Sequence, residues 1–180
     1  MPTRTDPARA SSILERTPAV LRALLTGLEP ELTDAPYGSG TWSAREVVAH
    51  LVYAERTDWL PRVGHLLAHG DAVAFEPFDR AGHGDLLQRY SLAELLDLFE
   101  RERAAALAAL ASLKLADADL ARPGLHPALG PVTLGNLLAT WAVHDLNHIA
   151  QISKAIAYQY GGQVGPWREY LSILAPPNPR

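Results

Sequence analysis

Cysteine is absent from this 180-residue chain. That single absence excludes disulfides, thiolate-ligated zinc, iron–sulfur clusters and cysteine nucleophiles. A basic excess is missing too, since 16 Lys and Arg stand against 20 Asp and Glu for a net charge of −4. With no Lys/Arg cluster, neither a nucleic-acid footprint nor an anionic-membrane surface is expected. Nowhere do about 18 apolar residues run uninterrupted, as a membrane-crossing helix needs. The N-terminal string MPTRTDPARASSILERT also lacks the apolar stretch of a signal peptide. The expectation is therefore a cytoplasmic protein forming one domain over residues 1–180, at roughly 100–200 residues per domain, without nucleic-acid or membrane partners. What the chain does have is histidine, seven of them. Any metal must be held by these and by carboxylates.

The apolar residues follow helical periodicity and predict four helices. The first covers about 7–28, opened by Asp6-Pro7 and carrying Ile13, Leu14, Leu21, Leu24, Leu25 and Leu28, with Pro18 as a point of kinking or splitting. The second covers about 43–69. It opens with the capping box Ser43-Ala44-Arg45-Glu46, buries Val47, Leu51 and Ala54, and is bent by Pro61. The third, about 91–115, starts with a second capping box, Ser91 to Glu94. It carries Leu95, Leu96, Phe99, Leu107 and Leu110, with Glu100, Arg101, Glu102 and Arg103 as a charged back. The fourth, about 132–160, follows Gly130-Pro131. No strand is predicted. Four helices joined by connections too long for tight hairpins, near 70–90 and 115–131, fit an all-α four-helix bundle with at least one crossover. The tail from Gly162, with Pro166, Trp167, Tyr170, Leu171 and Leu174, is expected to pack back on the bundle.

The fourth helix breaks its own apolar pattern. At 100° per residue, Leu134, Leu138, Trp141 and Ile152 point within about 40° of one another. Asp145 and His148 fall inside that arc, and His144 lies on its shoulder. Buried polar groups cost a few kcal/mol each unless they find partners. Two imidazoles at i and i+4 project in parallel and can chelate one cation. The competing reading is a pair of hydrogen-bonded core histidines. A third ligand would come from a facing helix, and His50 on the second helix is the best placed. Asp58 and Glu55 are then candidates for a fourth ligand or an orienting partner, and Asp145, Asp58 and Glu55 are the candidate catalytic carboxylates. Three nitrogens with one open position is the catalytic pattern rather than the structural one.

Rival sites are weaker. His65 and His69 form another i, i+4 pair beyond Pro61, where a helix is ending and histidines are ordinary dipole partners. His83 and His126 stand among glycine and proline and read as solvated loop residues, each within reach of a pocket. A zincin reading of His144-Asp145-Leu146-Asn147-His148, with Glu169 as third ligand, places Asp where zincins carry Glu and lacks the accompanying sheet. Gly38-Ser39-Gly40 has no strand–elbow–helix context. Trp42, Trp59, Trp141 and Trp167 read as core or pocket wall, with Tyr53 and the loop 75–83 completing that wall.

The string TWSAREVVAHLVYAE resembles the W-S-x-x-E-x-x-x-H-L-x-x-x-E signature of the DinB/YfiT-like family. LGNLLATWAVHDLNHIAQI resembles that family's closing H-[DE]-x-x-H-x-x-Q-I motif, and QVGPWREYLSIL is similar to the ending of one branch. The resemblance spans about Ile13 to Leu174. It implies a four-helix bundle of up-down-down-up topology, a metal triad on His50, His144 and His148, and zinc or nickel as the ion, with iron or manganese also compatible. It further implies a homodimer and a small-molecule substrate. Relatives include proteins named as metal-dependent hydrolases and transferases of low-molecular-weight thiols such as bacillithiol or mycothiol. With no cysteine of its own, the chain would take any reacting thiolate from a cosubstrate. The functional expectation is a metal-dependent hydrolase or thiol transferase. The alternative is a metal- or ligand-binding bundle without catalysis.

Overall fold

A computed structural model of the chain describes residues 7–175. The expected first helix is two helices, α1 (Pro7–Leu14) and α2 (Thr17–Leu25), followed by a short α3 (Pro30–Thr33). The second is likewise α4 (Ala44–Thr57) and α5 (Trp59–His69). Both breaks have one cause. A helical proline clashes with the carbonyl four residues before it and gives that carbonyl no N–H. Counting back four from Pro18 and Pro61 reaches Leu14 and Thr57, the residues where α1 and α4 end.

Next come α6 (Gly84–Arg89), α7 (Leu92–Ser112) and α8 (Leu134–Gln159). The helix starts follow the sequence closely because their caps are local. Ser43 and Ser91 accept from the amides of Glu46 and Glu94, whose carboxylates accept in turn from the two serine amides at 2.7 Å. Thr133 and Asn136 form the same reciprocal pair at the start of α8.

Two elements depart from expectation. The loop 70–90 contains α6, and the loop before α8 contains an antiparallel hairpin, β1 (Pro123–His126) with β2 (Gly130–Thr133). No alternating apolar run announces these strands. They are held by the three-residue turn between them, with Gly130 in the left-handed region at φ 77°.

Named contacts fix the helix directions. Arg22 bonds Asp97 and Glu100 while Arg103 bonds the Leu14 carbonyl, so the first segment runs antiparallel to α7. Arg45 reaches the carbonyls of Leu87 and Tyr90, and Arg56, eleven residues further along, reaches Glu102, so α4 and α7 run parallel. His50 faces His144 and Glu55 faces Trp141, so α4 and α8 are antiparallel. The topology is up-down-down-up. Parallel neighbours require the chain to return along the bundle between them, which accounts for the long connection through α6.

Two apolar clusters fill the interior. One includes Leu14, Trp59, Leu134 and Trp141, and the other Leu51, Leu95, Phe99 and Ile152. Arg103 lies against both, its guanidinium over Phe99 and over Trp141. The tail docks through Leu174, which is buried, and through the Tyr158 hydroxyl donating to the Leu174 and Ala175 carbonyls. Trp167 and Tyr170 do not take part and are exposed, and the tail beyond 175 lies outside the described residues. Among the described residues no helix is long and apolar enough to cross a membrane.

Candidate metal centre

His50 projects from the middle of α4, two turns inside its cap, and His144 and His148 project from successive turns of α8. Antiparallel packing of these helices brings the three Nε2 atoms together. That of His144 lies 3.2 Å from that of His50 and 3.0 Å from that of His148. Among the described residues this is the group of ligand-type side chains whose donor atoms converge, all within 4.8 Å of one another. Tetrahedral nitrogens about 2.0–2.1 Å from a zinc ion lie about 3.3 Å apart. The spacing is that of ligands to one ion.

The electrostatics agree. Burial, with the neighbouring His148 next in weight, lowers the His50 imidazole to about 3 and the His144 imidazole to about 2. Both are neutral at physiological pH, the form that offers a lone pair to a metal. His148 is oriented further: its Nδ1 meets the Gln151 side-chain oxygen at 2.9 Å, which places the proton on Nδ1 and leaves Nε2 facing inward. Removing such an orienting partner typically costs 10–100-fold in metal affinity. Gln151→Ala is expected to weaken zinc binding by about that factor in a chelator-competition titration, with the far-ultraviolet spectrum unchanged.

Neutral burial also sets an acid sensitivity. In the unfolded chain both histidines take up protons below about pH 6.5, while in the metal-free fold they do not. Stability contributed by their neutral burial is therefore complete above that pH and is lost progressively as pH falls towards 3. The melting temperature of the metal-free protein is expected to drop between pH 7 and 5, and to drop less in a His50→Gln/His144→Gln variant. Equal slopes for the two would show that these residues are not the cause.

Aromatic rings enclose the triad. Trp42 lies 4.9 Å from the His50 ring and stacks on that of His148 at 6.4 Å. Phe78 meets His50 edge-on at 5.6 Å, and Trp59 meets His144 edge-on at 5.0 Å. A cavity of about 220 Å³ lies beside this wall, lined by Tyr53, Asp58, Arg62, His65, Phe75 and Phe78 among others.

The carboxylates are placed less simply. Asp145 and Glu55 are buried, but both serve Arg103 instead of the triad. Nη1 of Arg103 donates to Asp145 at 2.6 Å, and Nη2 donates to Glu55 at 2.7 Å. The Trp141 indole also donates to Glu55 at 3.0 Å. Burial pushes the Glu55 carboxyl up even against Arg103. Asp58 pairs with Arg62 Nε at 2.8 Å on the cavity wall, and burial pushes its carboxyl up as well.

Arg103 is the residue that sequence reading misplaced. Assigned to the charged back of its helix, it is only 1% exposed. The signal was present: Arg103 follows Phe99 by four and precedes Ala106 and Leu110 by three and seven, which is the spacing of the buried stripe.

Among the rivals, the His65 and His69 rings lie 4.8 Å apart and tilted, but His65 Nε2 is engaged with the Val73 carbonyl at 2.9 Å. His126 accepts the amides of Ala128 and Leu129 and stabilises the hairpin turn. Glu169 is exposed and outside the converging group, which leaves the zincin arrangement without its third ligand. His83 corrects the expectation of a solvated loop, being buried against Trp42 at 4.9 Å. Nothing local in the sequence foretells this, because the burial comes from α4 packing over the loop.

The fold has counterparts among known proteins. The YfiT protein of Bacillus subtilis is 28% identical over 149 residues, 79% of this chain and 79% of its own length. Its solved structure, described as a probable metal-dependent hydrolase with an unusual four-helix bundle topology, superposes with a TM-score of 0.71 over 92% of this chain and 91% of its own, at 24% identity. A second solved four-helix bundle protein superposes with a TM-score of 0.56 over 82% of this chain and 98% of its own, at 25% identity. A relative from Oceanobacillus iheyensis is 26% identical over 78% of this chain and 80% of its own length, and its name carries the same provisional hydrolase assignment. The model of the DinB superfamily matches residues 13–152, a span that takes in all three converging histidines, and the chain belongs to that superfamily.

Proposed function

We propose that this protein is a divalent-metal-dependent hydrolase of a small molecule, with His50, His144 and His148 as the metal ligands and zinc or nickel as the ion. The observation that carries the proposal is the convergence of three Nε2 atoms, from buried His50 and His148 and half-buried His144, at 3.0 and 3.2 Å. The relatives' names support hydrolysis as the reaction class. Iron and manganese suit the same donors, so geometry favours no single ion. A divalent ion there would supply Lewis acidity and a nucleophile active at neutral pH.

The chain's own residues do the remainder. His50 and His144 enter as neutral donors, and Gln151 holds His148 in the matching tautomer. Trp42, Trp59 and Phe78 keep water from the flanks of the triad, which strengthens every charge interaction inside it. Asp58, on the cavity wall with its carboxyl pushed up, is the carboxylate suited to proton transfer. Asp145 and Glu55 act through Arg103 and are positioning residues.

The test is metal analysis of untagged protein, followed by a panel of ester, amide, lactone and phosphoester substrates with and without added thiols. The expected result is about one divalent ion per chain and hydrolysis that a chelator abolishes and no thiol is needed for. Failure to take up zinc or nickel overturns the site. Turnover only in the presence of a thiol overturns hydrolysis in favour of thiol transfer, with the sulfur coming from the cosubstrate.

A further inference from the structure

The loop 79–84 arrives over the triad by a device that does not depend on metal. Asp79 accepts the Ala81 amide on Oδ1 at 2.9 Å, and Gly84 donates to the Ala81 carbonyl at 3.0 Å, which winds the loop tightly before α6. At its centre Gly82 lies directly on the Tyr53 ring. A Cβ built there would sit 2.2 Å from the Tyr53 Cζ, so no other residue fits without moving the loop or the ring. Tyr53 is one turn beyond His50 on α4. The contact thus ties the residue after Gly82 to the helix that carries a metal ligand.

That residue is His83. It is only 6% exposed, its ring stands edge-on to that of His50 with centroids 5.9 Å apart, and Trp42 packs against both. Its Nδ1 is buried and makes no hydrogen bond of normal geometry, although the Arg80 backbone acts on the ring as a hydrogen-bond acceptor. Leaving a buried polar atom unmatched costs about 1–3 kcal/mol, and such atoms in native proteins ordinarily meet something. The Nδ1 atoms of His50 and His144 are unmatched in the same way, but their rings present converging Nε2 atoms, whereas the His83 ring does not join that group. It stands beside the site without belonging to the ligand set.

We propose that His83 is a substrate-contacting residue, whose Nδ1 hydrogen-bonds a polar group of the molecule bound at the triad, and that Gly82 packed on Tyr53 holds it there. The inference rests on the metal-site reading above. The ligand class it implies is a small molecule with a hydrogen-bonding group adjacent to the atom that meets the metal, as in a carbonyl, amide or hydroxamate.

The test uses the full chain loaded with cobalt(II) and acetohydroxamate as the probe, a metal ligand that both donates and accepts hydrogen bonds. Binding of the metal and of the probe is followed separately through the visible cobalt spectrum. His83→Ala is expected to keep cobalt affinity within about twofold and to weaken acetohydroxamate about tenfold, a difference of about 1.4 kcal/mol. His83→Asn, which puts an amide near the position of Nδ1, is expected to recover most of that loss. Gly82→Ala, which forces the loop and the Tyr53 ring apart, is expected to reproduce the His83→Ala defect with cobalt binding intact. Unchanged probe affinity in both His83 variants, with cobalt bound, overturns the placement of His83 and leaves the metal site standing. Loss of cobalt itself in His83→Asn, with the helical spectrum intact, also overturns it, because His83 would then serve the metal. A wild-type chain that takes up no cobalt, zinc or nickel overturns the metal site and this inference together.

Discussion

Arg103→Met is expected to lower the unfolding free energy by about 3–5 kcal/mol, the usual cost of removing one partner from a buried ion pair. Arg103 joins all four helical segments of the bundle. Its Nη1 donates to the Leu14 carbonyl at the end of α1 at 2.9 Å and to Asp145 on α8 at 2.6 Å, and its Nη2 donates to Glu55 on α4 at 2.7 Å and to Asp145 again at 3.1 Å. Methionine fills much of the same volume but leaves two carboxylates at 1% and 0% side-chain exposure without a counter-charge. Arg103→Lys keeps the charge and loses the planar fork, so it is expected to fall between the two. Replacing the cluster together, as Arg103→Met with Glu55→Gln and Asp145→Asn, is expected to recover part of the loss, since the uncompensated charges go with it. Urea denaturation with a common m-value reads all three. A loss below about 1 kcal/mol for Arg103→Met, the size of an exposed pair, would show that the cluster does not hold the bundle together.

The second large effect is on metal binding. His144→Ala removes the nitrogen that lies 3.2 Å from His50 and 3.0 Å from His148, the middle member of the three. Orienting partners of ligands are worth 10–100-fold in affinity, and a ligand itself is worth more. Zinc affinity is accordingly expected to fall more than about a hundredfold. A thermal readout separates this from loss of a core residue. At a metal concentration about a hundred times its dissociation constant, the wild-type fold gains about 2.7 kcal/mol from binding. The variant should gain almost nothing, while its metal-free melting temperature moves far less. If His144→Ala lowers stability equally with and without metal, the three histidines are a hydrogen-bonded core cluster and the metal reading fails.

The triad is legible in the residue spacing because helical geometry is periodic. His144, His148 and Asp145 fall at angles where α8 is otherwise apolar, and His50 falls on the shoulder of the stripe of α4. Helix starts are legible for a similar reason, since Ser43 with Glu46 and Ser91 with Glu94 make contacts three residues apart. Positions where an expected helix divides are also local, each set by a proline and the carbonyl four residues before it. The hairpin 123–133 is not legible, because its strands carry no alternation and pair through backbone groups that every sequence has.

What the sequence determined by itself was therefore the helices, their caps, their breaks and the polar residues that intrude on their buried faces. These depend on spacings of three and four residues along one chain. Tertiary structure decided which intruding groups answer which. Glu55 and Asp145, equally eligible as partners of the histidines, meet Arg103 instead, because the parallel packing of α4 and α7 puts a guanidinium between them. His83, indistinguishable in the sequence from a solvated loop residue, is buried beside His50 because Gly82 lies flat on Tyr53. Burial and charge pairing act through space over a few ångströms, between residues 42 to 48 positions apart for Arg103 and 33 for His50 and His83. Periodicity along a single helix carries no information about contacts of that kind.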